Sequence, residues 1–252
     1  MRRTSFISGS TATVVLVHGA FADASGWGAV IAELQAQGMG VVAPALGLRT
    51  LAADAATVVG AAERFDGPVI LAGQGYGGAV ITVAGARAVN VVGLVYVAGF
   101  ALAEGESCSD VAARFPETLF APSLQPAPYE AEDGATLVEL SVRPDAFAAA
   151  FAADLPSSMT DVLAVVQRPV TVAALDAAAP VAAWRALPSR YVVAAADRAT
   201  HPDAQRFMAA RAGALSVELD ASDAVALSCP TAVAAELRAA AVASRAAGAG
   251  DA

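Results

Sequence analysis

The sequence predicts an α/β chain built on a mostly parallel, doubly wound sheet. Three observations carry that prediction. Short, β-branched, continuously apolar runs recur along the chain, separated by amphipathic segments with helical spacing. Runs such as Val69-Ile70-Leu71-Ala72 lack the polar–apolar alternation of a half-exposed strand, which is what strands covered on both faces look like. The pattern lapses near residue 100 and resumes near residue 189, so a single sheet is interrupted by an insert.

Taken in order, Thr13–Val17 reads as a buried strand that ends in the loop opening at His18-Gly19. Trp27–Gln37 has helical spacing at Trp27, Val30, Ile31 and Leu34 and stops at Gly38, a helix-ending residue. Gly40–Ala43 is a strand, Leu51–Arg64 a helix, Val69–Ala72 a strand, Tyr76–Arg87 a helix and Val91–Ala98 a strand. After the insert come a strand at Arg190–Ala195, a helix at Asp203–Ala212, a strand at Leu215–Leu219 and a terminal helix at Thr231–Ala247.

The insert, residues 101–188, is rich in proline and shows helical stretches without a clear strand. It is expected to be a helical lid placed after the sixth strand, the one ending near Ala98. Its aromatic residues Phe115, Phe120, Tyr129, Phe147 and Phe151 either pack the lid onto the body or line a pocket. The expected organisation is a disordered leader over 1–12, core over 13–100, lid over 101–188, core over 189–247 and a disordered tail over 248–252.

Composition excludes several functions. The chain has 252 residues, 57% of them hydrophobic, enough for one α/β domain with a lid. Net charge is −9 and all 15 basic residues are arginine, so nucleic acid is not an expected partner. The absence of lysine removes Schiff-base chemistry on a side-chain amine. No apolar run reaches the roughly 18–20 residues of a membrane span, and the first residues lack the apolar region of a signal peptide. A cytoplasmic chain, away from membranes, is expected, as a monomer or homodimer. Cys108 and Cys229 form neither a CxxC pair nor a zinc set, and His18 and His201 are the only histidines. No metal and no other cofactor is expected.

The segment with chemical content is Gly73-Gln74-Gly75-Tyr76-Gly77-Gly78-Ala79, between a strand and a helix. In a Gly-x-Ser-x-Gly elbow the flanking glycines permit a sharp turn that lifts a serine above the sheet. Here the flanking glycines are Gly73 and Gly77, and the central position is Gly75. This elbow, with Val17-His18-Gly19-Ala20-Phe21 and the run Ala79-Val80-Ile81-Thr82, resembles the α/β-hydrolase superfamily, in its branch of small bacterial esterases and hydroxynitrile-lyase-like proteins. The resemblance extends from about Thr13 to Ala243.

It implies the fold named for that superfamily, an oxyanion hole made by the amides of Phe21 and Tyr76, a structural role for His18 in holding the loop, and an acid at Asp197 of the Asp197-Arg198 pair. Ala20, Gln74 and Gly75 are expected with His18 around the pocket. Two catalytic positions depart from the pattern: Gly75 stands for the serine and Asp223, in Ser222-Asp223-Ala224, for the histidine. Gln74 and Cys229 also replace expected histidines, and four departures together point to divergence rather than one introduced change. Glycine has no nucleophile, and aspartate does not take a serine proton as imidazole does.

What remains is an oxyanion hole and two aspartates, Asp197 and Asp223, as a carboxyl acid/base pair. His201 is expected at the surface and Ser222 as a loop residue. The expected function is a non-hydrolytic, cofactor-independent enzyme on a small apolar substrate: a cyclase, isomerase or lyase. Tailoring of a polyketide-type natural product is expected by analogy with other uses of the fold. A ligand-binding protein without catalysis, and a hydrolase or lyase that activates water with a carboxylate, are the alternatives.

Overall fold

The computed structural model describes residues 12–131 and 133–249. Its main sheet has six parallel strands: β1 (Thr13–Val17), β2 (Val41–Val42), β3 (Val69–Gln74), β4 (Val91–Val97), β8 (Ser189–Ala194) and β9 (Leu215–Leu219). They lie in the order β2-β1-β3-β4-β8-β9. Between β4 and β8 the chain forms β5 (Leu124–Glu130), β6 (Thr136–Val142) and β7 (Val170–Thr171), a separate antiparallel sheet.

Helices cover both faces, as the apolar strands require. α1 (Gly28–Gln35) and the terminal helix Pro230–Ala249 share one core with Val14, Leu16, Ile70 and Ala72. α2 (Leu51–Ala62) and α3 (Tyr76–Ala84) share the other with Val15, Val17, Leu71 and residues of the insert. Alternate side chains of each strand therefore feed two different cores. The Thr50 hydroxyl starts α2 by accepting the amide of Ala53 at 3.2 Å. No helix among the described residues is long and apolar enough to cross a membrane.

Three expectations need correction. The insert is not purely helical: β5 and β6 pair over their whole length, from Leu124 opposite Val142 to Glu130 opposite Thr136. Pro126 and Pro128 hide β5 from a sequence reading, because proline argues against a strand. They are tolerated because β5 is the edge of its sheet. Second, the insert follows β4, the fourth strand among the described residues, rather than a sixth. Third, the terminal helix reaches Ala249, so residues 248 and 249 are helical rather than a disordered tail, while 250–252 lie outside the described residues. Of the expected leader, residues 1–11 lie outside the described residues and Ala12 is buried against the sheet.

The insert forms a cap. Helices Pro144–Phe151 and Ser157–Val166 lie over the C-terminal ends of the core strands, carrying Phe147, Phe151 and Leu163 toward Phe21 and Gln74. The cap sheet is tied to the loop before α2, where the Thr171 amide donates to the Leu48 carbonyl at 3.0 Å and Arg49, lying over the Tyr129 ring, pairs with Glu139.

Candidate active site

The turn from β3 to α3 keeps the geometry of a nucleophile elbow. Gly75 has φ 50° and ψ −123°, a backbone state that strongly favours glycine. Its neighbours are glycine for a different reason. A Cβ on Gly73 would lie 2.3 Å from the Gly77 carbonyl oxygen, and one on Gly77 would lie 2.4 Å from that of Val17. A Cβ on Gly75 meets no such obstacle. Its closest neighbours are the Gly19 Cα at 3.8 Å and the Asp223 Oδ1 at 3.9 Å. The position has room for a side chain, and that side chain would face Asp223.

The loop after β1 closes over this turn. His18 is buried and both ring nitrogens are committed: Nδ1 donates to the Gly19 carbonyl at 2.9 Å and Nε2 accepts the Leu46 amide at 3.0 Å. Burial lowers its pKa, and the accepted hydrogen bond requires a neutral ring. His18 is thus a brace and has no free nitrogen for proton transfer. Phe21, held at φ 61°, and Tyr76, the first residue of α3, present amides that find no acceptor among the described residues. A helix N-terminus and a free amide pair are the parts of an oxyanion site.

Asp54, which the sequence reading did not single out, anchors the turn from below. Its Oδ1 accepts the amides of Gly47 and Leu48 at 2.9 and 3.1 Å, and its Oδ2 accepts the Tyr76 hydroxyl at 2.9 Å. A carboxylate among the apolar residues of α2 was the available signal.

Asp197 and Asp223 occupy adjacent loops after β8 and β9. The Ala196 amide donates to Ala221 at 3.0 Å, which keeps the two loops together. Asp197 is held by donors on both oxygens: the amides of Ala199 and Thr200 at 2.7 and 3.1 Å, and Gln205 Nε2 at 2.7 Å. Asp223 receives a single side-chain donor, Gln74 Nε2, at 3.4 Å; the same nitrogen binds the Asp223 carbonyl at 2.7 Å. Burial raises Asp197 well above the usual carboxylate range, and the neighbouring Asp223 charge adds to the effect. Burial pushes Asp223 up to about 7, opposed by the Gln74 hydrogen bond and assisted by the charge of Asp154. Two such carboxyls do not both ionise readily, so near neutral pH the pair retains a proton.

Asp154 reaches in from the cap, accepting the amide of Ser222 at 3.0 Å and its hydroxyl. This places Ser222 in a cap-to-core contact, a loop role as expected. Neither Asp154 nor Gln205 carries a motif; each becomes visible only through the contact it makes in three dimensions.

The cavity above the turn is small, about 30 Å³, room for a water or two. It is lined by His18, Phe21, Gln74, Phe147, Phe151 and Leu163 among others. Ala20 packs into the core beside it rather than lining it. Phe21 meets Phe120 edge-on at 5.2 Å and Phe151 at 6.4 Å, so cap aromatics fill the space over the turn. A second, open groove of about 410 Å³ runs along the cap edge, bordered by Glu117, Thr118, Asp197, Arg198 and His201. His201 stacks on Phe115 and caps the helix Pro202–Arg211, its Nδ1 accepting the Asp203 amide at 3.1 Å. Tyr129, also in the lid, lies away from the cavity under Arg49. Cys108 is buried and Cys229 partly so, both as free thiols. No group of three metal-binding side chains occurs among the described residues.

Residues 14–236 match the family described as the Alpha/beta hydrolase family. Solved structures of similar fold include a pyrethroid hydrolase from Sphingobium faniae JZ-2, 22% identical, with a TM-score of 0.76 over 92% of this chain and 98% of that one. A polyneuridine aldehyde esterase is 16% identical, with a TM-score of 0.79 over 90% of this chain and 98% of that one. A methylesterase from Arabidopsis is 17% identical, with a TM-score of 0.75 over 90% of this chain and 97% of that one. A comparison with curated proteins gives no match.

Proposed function

The chain belongs to the α/β hydrolase family, and from that premise we propose that it is a cofactor-independent, non-hydrolytic acid/base enzyme acting on a neutral, apolar carbonyl compound. The single observation that carries the reading is where Asp223 lies. Its Oδ1 is 3.9 Å from the point where a side chain on Gly75 would begin, so a carboxyl with a pKa of about 7 faces the place a nucleophile would occupy.

The chemistry follows from the parts. A substrate carbonyl oxygen takes the Phe21 and Tyr76 amides. Asp223 as carboxylate removes a proton from the adjacent carbon, the negative charge moves to the oxygen under those amides, and Asp223 as acid returns the proton elsewhere. Enolisation of this kind serves cyclisation, isomerisation or retro-aldol cleavage without an acyl-enzyme. The aromatic and aliphatic lining suits an apolar substrate, and a polyketide-type tailoring step fits that chemistry.

The test is exchange of α-protons in a plain ketone such as 2-tetralone, followed by NMR in deuterated water. The wild type is expected to accelerate exchange, and Asp223→Asn to lose that acceleration by about 100-fold. Equal exchange in the two proteins sinks the proposal. A second reading, a non-catalytic scaffold whose cap side chains fill the space over the turn, is favoured by the smallness of the cavity; it gains if 2-tetralone neither binds nor exchanges. Hydrolysis by carboxylate-activated water is separated from both by incorporation of labelled solvent oxygen into product.

A further inference from the structure

The cavity over the turn, about 30 Å³, is far below the roughly 300–1,000 Å³ of ordinary ligand sites. A substrate of the proposed kind enters only if lining side chains move. Phe147, Phe151, Leu163, Val166 and Gln167 of that lining belong to one stretch of the insert, the helices Pro144–Phe151 and Ser157–Val166 and the residue that follows them.

This stretch has a base and a tip. At the base, Gln167 ties its two ends together: Oε1 accepts the Val142 amide at 2.7 Å, and Nε2 donates to the Val142 carbonyl at 2.7 Å and to the Ala164 carbonyl at 2.8 Å. The cap sheet below is fixed to the core by the Thr171 hydroxyl, which donates to the Arg49 carbonyl at 2.6 Å. At the tip, in the turn between the two helices, Asp154 accepts the Ser222 amide at 3.0 Å and the Ser222 hydroxyl. Among the described residues, every hydrogen bond from residues 144–166 to residues outside the cap ends on the Asp154 carboxylate.

We propose that residues 143–167 form a hinged flap, with Gln167 pinning its base and Asp154 latching its tip to the loop that carries Asp223. Its use for substrate entry rests on the acid/base reading; the latch rests on the contacts alone. Asp154 is exposed, so water is at hand to take the place of Ser222, and exchange of one such partner for the other costs little. Ser222 is buried, and its hydroxyl also accepts the Ala224 amide at 3.2 Å, so the latch grips the loop on both sides of Asp223. Release therefore uncovers the cavity and loosens the loop of its carboxyl in one step. Elsewhere the flap meets the core through apolar side chains, such as Phe151 against Phe21 at 6.4 Å, with no directional bond to break. Burial of Phe147 and Phe151 keeps the flap closed at rest, and an apolar ligand gives the turn the same cover.

The experiment uses Trp27, which is fully buried and part of the cavity wall. Trp184→Phe removes the other tryptophan, and quenching by acrylamide, a small neutral molecule, then reports access to Trp27. Adding Asp154→Ala is expected to raise the quenching rate constant at least about fivefold, the effect of one lost hydrogen bond on the open fraction, with amide exchange in β3 and β4 unchanged. Ser222→Ala keeps the amide contact and loses the hydroxyl. It is expected to give a smaller rise in the same direction, and it serves where Asp154→Ala does not fold. Unchanged quenching in a folded variant overturns the latch. So does a rise matched by faster exchange in β3 and β4, which is loosening of the whole molecule. Acrylamide is not a substrate, so a protein that opens as expected and shows no α-proton exchange counts against the proposed function while leaving the flap standing.

Discussion

Two buried carboxyls flank the turn at Gly75, and they are held in opposite ways. Asp54, beneath the start of α3, has three good donors and completes the loop before α2. Asp223, across the turn, is equally buried and has one side-chain donor at 3.4 Å. Burial raises both. The difference lies in what the surroundings supply. A carboxylate that satisfies the backbone around it is part of the scaffold, whereas one left short of partners in a desolvated place keeps a proton that chemistry can use.

That contrast can be broken at several points. Asp54→Ala strips the acceptor from two amides and a hydroxyl and is expected to cost about 4 kcal/mol in urea unfolding. A loss under about 1 kcal/mol would mean that Asp54 is no more structural than Asp223. The double change Gly75→Ser with Asp223→His puts a nucleophile and an imidazole beside Asp197. It is expected to raise cleavage of p-nitrophenyl acetate at least about 100-fold over wild type, while each single change stays at the wild-type level. A folded but inert double variant would show that the turn no longer has a hydrolase's geometry.

The sign of the pH effect sharpens the contrast further. Asp223 has a folded pKa above its unfolded value, so stability is highest while it is protonated, declines as pH rises from about 4 to about 7, and then levels off. Asp223→Asn removes its share of that decline and is expected to stabilise the protein at pH 8 by about 2 kcal/mol. An unchanged pH profile in the variant rules out Asp223 as the source. The smallest effect is expected for Gly75→Ala, about 1 kcal/mol from the positive φ alone, because its Cβ has space. Gly77→Ala, against the Val17 carbonyl, is expected to cost clearly more, and equal losses would place the strain elsewhere.

Much of the core was legible because strand and helix signals there are local. The apolar runs at Thr13–Val17 and Val69–Ala72, and the glycine spacing at Gly73 and Gly77, each follow from burial or close backbone approach at that point in the chain. The cap sheet was not legible, since Pro126 and Pro128 contradict a strand unless the strand is known to lie at an edge. The β-branched residues of Thr136–Val142 and the Gly134 turn were the signal that a hairpin was present. Asp197 and Asp223 were reached through resemblance. Their unequal hydrogen bonding was not, because it depends on Gln205, Gln74 and Asp154, which approach from three separate stretches of sequence.

The two prolines of β5 have a consequence of their own. An incoming strand aligned along that edge finds no N–H at positions 126 and 128. The outermost strand of the cap sheet therefore makes a poor template for cross-chain pairing. In a chain that is 57% hydrophobic, that disfavours fibrillar self-assembly through this edge at high concentration.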